Sequence, residues 1–93
     1  MEEAPIKHAL DEFVRTFRLR EKLDSYDIKE SWAAIMGRVI DKHTLKIYIR
    51  KRTLYIHVDS SALRNELELG ISKIIALVNE HAHRNIVEDV VLL

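Results

Sequence analysis

Two different spacings of hydrophobic residues divide the chain into predicted helices and strands. In the first forty residues, apolar side chains recur every three or four positions, which is the period of one helix face. The first run consists of Ile6, Leu10, Phe13, Val14 and Phe17. It begins next to Pro5, and proline suits the first turn of a helix. The pattern predicts a first helix over residues 5–20.

A second helix is predicted over residues 26–41. Its apolar positions are Ile28, Trp32, Ile35, Met36, Val39 and Ile40. The run Asp24-Ser25-Tyr26-Asp27 supplies side-chain oxygens that can cap the first turn. Gly37 lies inside this predicted helix, where glycine is about 1 kcal/mol less favourable than alanine. Either the helix breaks at Gly37 or a neighbour packs against its bare backbone. Because the apolar period continues on both sides, we expect close packing, and a core or core-edge position for Trp32.

From residue 45 onward the apolar period changes to two, which is typical of strands. The alternating apolar residues are Leu45, Ile47 and Ile49, then Leu54, Ile56 and Val58. All six are expected in the core. The four residues Arg50-Lys51-Arg52-Thr53 leave room only for a hairpin, although they lack the Asn-Gly type of turn. The two strands are therefore predicted to be antiparallel neighbours.

One more helix and one more strand complete the prediction. Ser60 or Ser61 can cap a third helix that extends to about His81 and contains Gly70 in its interior. The β-branched tail Ile86–Leu93 favours a third strand, parallel to the second and paired beside either hairpin strand. The order is then ααββαβ, an α+β fold whose three-stranded sheet carries its helices on one face. No linker or repeat divides the chain, so residues 1–93 are expected to form one domain.

The charges cancel over the whole chain but are segregated along it. Fifteen basic and fifteen acidic residues give a net charge of zero. Between Arg38 and His57, six Lys and Arg residues accompany only Asp41, so this segment carries +5 and the remainder carries −5. The positive charge coincides with the predicted hairpin.

The polar face of the hairpin is the candidate binding site. Strand alternation turns its basic and aromatic residues away from the helices. Lys and Arg can neutralise phosphates, and tyrosine rings can stack on bases. The candidate nucleic-acid-binding residues are Lys46, Tyr48, Arg50, Lys51, Arg52, Tyr55 and His57. The alternative is that these are ordinary exposed strand residues whose charges discourage edge-to-edge aggregation.

Other functions find little support in the sequence. The chain has no cysteine, and its histidines, including His81 and His83, have no carboxylate or cysteine at a recognised ligand spacing, so neither a metal nor another cofactor is expected. No set of residues combines a nucleophile, a base and an oxyanion site, so an enzyme with a small-molecule substrate is not expected. No signal peptide or apolar span is recognised, which favours a cytoplasmic protein without membrane contact.

A succession of residues resembles the DciA-like family of small bacterial proteins. It comprises Trp32 and Gly37, His43-Thr44, and the strand-to-helix passage Leu54–Leu67, within a resemblance over roughly residues 19–92. The resemblance implies a KH-like fold, a partnership with the bacterial replicative helicase during its loading, and some affinity for DNA. The chain has no Gly-x-x-Gly loop, so the KH mode of clamping a nucleic-acid backbone does not carry over. It also stops at the last predicted strand, without the disordered extension of many members.

Two functional hypotheses follow. The first is an adaptor of the replicative helicase that binds single- or double-stranded DNA weakly through the hairpin face. The second is a non-catalytic protein-interaction module without nucleic-acid binding, whose exposed sheet or last strand adds to a partner's sheet. Salt-sensitive binding to DNA distinguishes the two.

Overall fold

The computed structural model describes residues 5–93, which form four helices and a three-stranded sheet. The elements are α1 (Pro5–Met36), α2 (Arg38–Lys42), β1 (Thr44–Arg50), β2 (Thr53–Val58), α3 (Ser61–Glu68), α4 (Ile71–Ala82) and β3 (Asp89–Leu92). The helices lie on one side of the sheet. The predicted α+β class and the order ααββαβ are confirmed in outline, and the helix boundaries differ.

The first two predicted helices are one continuous helix as far as Met36. The prediction of a new helix start at residues 24–27 was wrong, because these polar side chains make tertiary contacts instead of capping. Asp24 accepts hydrogen bonds from the Arg84 guanidinium, with Nη2–oxygen distances of 2.6 and 2.7 Å. The Ser25 hydroxyl accepts from the Ile49 backbone N–H at 2.8 Å. The carboxylate of Asp27 lies 3.1 Å from the His81 ring.

The two glycines end helices and do not lie inside them. Gly37 has φ +92°, a left-handed conformation that favours glycine, and a Cβ built on it would meet no atom within 4 Å. The prediction of close packing against an unbroken helix was therefore wrong, since the helix breaks here. Gly70 separates α3 from α4, so the third predicted helix is two helices. Its predicted cap is confirmed, because the Ser60 hydroxyl accepts from the Leu63 N–H at 3.2 Å.

The sheet has the order β1-β2-β3, with an antiparallel pair followed by a parallel pair. The hairpin is confirmed, and β3 runs parallel to β2 as predicted, on the side away from β1. The hairpin turn places Lys51 at φ 50° and Arg52 at φ 63°. Positive φ at both central residues defines a type I′ turn, whose twist matches that of the strands. Two non-glycine residues thus adopt the conformation that Asn-Gly usually provides.

The core lies between the sheet and the helices and includes five of the six apolar hairpin residues. Trp32 is 1% exposed, as predicted, and its indole N–H donates to the Thr44 hydroxyl at 3.0 Å. Leu45 was predicted to be buried and is 70% exposed. The strand register shifts between Thr44 and Lys46, and this irregularity changes the face on which the residue between them lies.

The first half of α1 lies outside this core. Every residue from 5 to 20 is exposed, whereas Ile28 and Trp32 further along the same helix are buried. The molecule measures 59 × 24 × 20 Å along its principal axes. The apolar residues that predicted the first helix therefore do lie on one helix face, but that face is not covered by any other part of residues 5–93.

Candidate nucleic-acid interface

The hairpin brings four of the predicted site residues together on the face turned away from the core. In the β1–β2 register, Lys46 lies opposite His57, and Tyr48 lies opposite Tyr55. Their chain neighbours Ile47, Ile49, Leu54 and Ile56 are buried on the other face. As predicted from strand alternation, these four side chains point away from the core. They form a single cluster on the outer face of the hairpin.

The aromatic residues of this cluster are stacked on one another. The Tyr48 and Tyr55 rings have centroids 5.0 Å apart and planes inclined by 13°. The His57 ring lies 5.9 Å from Tyr48, and the Lys46 ammonium lies 5.2 Å from the centroid of the Tyr48 ring. The sides of the two tyrosine rings that face each other are thus not open to bases, and Tyr48 has His57 and Lys46 as further neighbours. The arrangement is better suited to positioning a positive charge than to offering an open stacking platform.

His57 contributes in a different way from the lysine beside it. Its Nε2 atom is buried and has no hydrogen-bond partner among residues 5–93. A buried ring nitrogen cannot reach a phosphate in solvent without a rearrangement of its surroundings. In the geometry described, His57 therefore packs beside Tyr48 and does not present its Nε2 atom to solvent.

The hairpin tip separates the three remaining predicted residues into two groups. Arg50 and Lys51 are exposed, and no acidic side chain among residues 5–93 forms an ion pair with either of them or with Lys46. Arg52 is engaged within the chain, since its Nε lies 3.4 Å from a carboxylate oxygen of Glu88. The unpaired cations of the hairpin are Lys46, Arg50 and Lys51.

The sequence analysis missed the contribution of α1 to this surface. A cleft of about 680 Å³ separates the middle of α1 from the end of β1 and the hairpin tip. Arg18 and Lys22 line it from α1, and Arg50 and Lys51 line it from the hairpin. The spacing of four between Arg18 and Lys22 indicates one helix face. However, ending the first helix at residue 20 separated these two residues, and only the continuous helix places them beside the tip.

The described residues offer neither a metal-binding cluster nor a membrane-spanning helix. Residues 5–93 contain no group of three or more His, Cys, Asp or Glu side chains arranged to hold a metal ion. His43 and His81 instead lie against carboxylates, at 2.9 Å from Asp59 and 3.1 Å from Asp27. None of the helices described here combines the length and the hydrophobicity needed to cross a bilayer.

Comparisons with known proteins identify one family. Neither the curated proteins nor the solved structures gave a match. The family model described as "Dna[CI] antecedent, DciA" matches residues 5–92, which is nearly the whole chain. This family has a general role as a loader or adaptor of the replicative helicase and is not known for catalysis. The protein belongs to the DciA family.

Proposed function

We propose that this protein assists the loading of the replicative helicase onto DNA and binds DNA weakly through the cations of its hairpin. The observation that carries the DNA-binding part is that Lys46, Arg50 and Lys51, on one hairpin, form no ion pair with any carboxylate among residues 5–93. A chain with no net charge concentrates its positive charge in this segment, and of the hairpin's four Lys and Arg residues only Arg52 is paired with a carboxylate among residues 5–93. The site of action is the cytoplasm, where the replicative helicase acts.

Phosphate contacts account for binding better than base contacts do. The stacked tyrosines leave less ring surface for bases, whereas an exposed ammonium or guanidinium can replace the counterions of a phosphate. Arg18 and Lys22, across the cleft from the tip, extend the same positive surface. Three to five such contacts predict weak, sequence-independent binding whose log K falls with log salt at a slope of roughly −2 to −4.

The DNA test compares two charge reversals of equal size. In Arg50→Glu/Lys51→Glu, two unpaired cations of the tip are reversed, and Arg52 is left to pair with Glu88. The control Arg38→Glu/Lys73→Glu makes the same change in net charge at exposed residues of α2 and α4. Binding to labelled single-stranded and duplex oligonucleotides is measured by fluorescence anisotropy between about 50 and 200 mM salt.

The tip variant is expected to lose at least about tenfold in affinity at the lowest salt and to reduce the salt slope by roughly 2. The control is expected to change both quantities much less. Equal losses in the two variants would mean that net charge, rather than the hairpin, governs binding. Unchanged binding by the tip variant would remove the proposed interface.

The helicase part has a separate test. Sedimentation velocity of the protein mixed with the replicative helicase of the same organism is expected to show a complex in the absence of DNA. The tip variant should still form this complex if the DNA-binding and helicase-binding surfaces are distinct. If the protein and the helicase do not associate with or without DNA, the helicase proposal is contradicted. The conclusions from the DNA-binding measurements are not affected by that result.

A second candidate function is a protein-interaction module without nucleic-acid binding. The position of β3 at an edge of the sheet favours it, because an edge strand can add to the sheet of a partner. Under this hypothesis, DNA binding by the unmodified protein is absent or insensitive to salt. The anisotropy titration therefore separates the two functions.

A further inference from the structure

The exposed half of α1 carries an apolar stripe that no other part of residues 5–93 covers. The exposed fractions are 68% for Ile6, 57% for Leu10, 67% for Phe13, 44% for Val14 and 39% for Phe17. Phe13 and Phe17 are packed on each other, with centroids 6.3 Å apart. These side chains form a continuous apolar face along about three turns of helix.

The spacing within this stripe is symmetrical. The intervals between Ile6, Leu10, Phe13 and Phe17 are four, three and four residues, which is the spacing of a coiled-coil seam. If a second identical helix runs antiparallel, with Leu10 opposite the second copy's Phe13, then Ile6 lies opposite the second copy's Phe17. The reciprocal pairs form at the same time, as a two-fold interface requires. Each phenylalanine then meets a smaller aliphatic residue, whereas a parallel pair would oppose Phe13 to Phe13.

We infer that the protein forms a two-fold symmetric dimer in which the first halves of two α1 helices pair antiparallel. The occupant of the stripe is thus a second copy of this chain. A partner of different sequence would not require a self-complementary seam. Residues 5–18 of the two copies overlap over about 21 Å.

The area of the stripe indicates a weak dimer. Large apolar side chains have about 150–250 Å² of surface each, so the exposed fractions correspond to roughly 500 Å² per chain and about 1,000 Å² for the pair. This area is near the lower limit for a specific interface. An interface at this limit is expected to be weak, so the oligomeric state has to be measured up to several hundred micromolar. In this register the start of one helix lies near the cleft of the other copy, where Phe13 and Phe17 form part of the apolar wall.

The first experiment measures the oligomeric state of the full chain by sedimentation equilibrium from about 1 to 500 μM. Leu10→Asp places a charge in the middle of the seam and is expected to weaken the dimer at least about tenfold. The matched control is Leu69→Asp, because Leu69 is 85% exposed and lies between α3 and α4. It is expected to leave the dissociation constant unchanged. Circular dichroism checks that both variants remain folded.

The second experiment tests the direction of the helices by disulfide formation, using the absence of native cysteine. Ile6→Cys and Phe17→Cys are prepared separately and oxidised alone or as an equimolar mixture. In the antiparallel register, position 6 of one copy lies about 16 Å along the axis from position 6 of the other, too far for a disulfide. The mixture is therefore expected to yield the mixed disulfide, and each variant alone is expected to yield little.

Three results would overturn the inference. The first is a monomer throughout the concentration range. The second is a dimer that Leu69→Asp disrupts and Leu10→Asp does not, which would place the interface elsewhere. The third is efficient cross-linking of Ile6→Cys with itself, which would show that the helices are parallel.

Discussion

At the scale of single residues, the hairpin tip combines an unfavourable backbone conformation with exposed positive charge. Lys51 and Arg52 both have positive φ, which costs roughly 1–2 kcal/mol for a residue with a Cβ. Neighbouring elements hold the turn in place. The Arg52 N–H lies 3.4 Å from a Glu21 carboxylate oxygen, and its carbonyl accepts from the Glu88 N–H at 2.9 Å. Contacts from both sides of the hairpin thus stabilise the conformation that presents the cations.

The backbone of Arg52 can be tested by comparing glycine with alanine at that position. Both substitutions remove the ion pair with Glu88, so the difference between them reports the positive φ. We expect Arg52→Gly to have a free energy of unfolding about 1 kcal/mol higher than Arg52→Ala, measured by urea denaturation. At an ordinary strand position the order is reversed, because glycine loses more entropy on folding. Greater stability of the alanine variant would contradict the left-handed turn.

The alternation of the hairpin predicts which residues share a face, but not what each side chain contacts. Period two placed Lys46, Tyr48, Tyr55 and His57 together correctly, since a strand side chain has only two directions available. The pairing of Arg52 with Glu88 joins residues 36 positions apart, and nothing local to either residue indicates it. The exposure of Leu45 likewise depends on a register shift that the apolar pattern does not reveal. The roles of the seven site residues in DNA binding remain predictions.

At the scale of elements, the helix boundaries were harder to predict than the elements themselves. The polar residues that cap helices also form tertiary hydrogen bonds. The run at 24–27 therefore has the composition of a helix start, although its side chains connect α1 to α4 and β1. Asn79 in α4 is a second polar residue whose tertiary hydrogen bonds the sequence pattern does not reveal. Its side-chain oxygen accepts from the Ile86 and Val87 N–H groups, and its amide donates to the Val87 carbonyl. One side chain in α4 thereby fixes the connection that leads into β3.

At the scale of the whole molecule, the two halves of α1 differ in how much apolar surface they bury. Its second half is anchored through Ile28 and Trp32 in the core, where burying large side chains stabilises the fold. Its first half extends the molecule to 59 Å and buries no side chain within residues 5–20. A helical segment of this length is marginal in water by itself. In the inferred dimer, the second copy buries the apolar face that residues 5–93 of one chain leave exposed.

Removal of residues 1–16 separates the contribution of the extension from that of the core. Because residues 5–16 are all exposed, we expect chain 17–93 to retain cooperative unfolding, with a free energy of unfolding within about 1 kcal/mol of the full chain at low micromolar concentration. At several hundred micromolar the full chain should gain thermal stability through dimerisation, and the shortened chain should not. The measurements are urea denaturation at low concentration and differential scanning calorimetry over the concentration series. Loss of cooperative unfolding on truncation would show that the extension supports the core, and an equal concentration dependence in the two chains would place association outside α1.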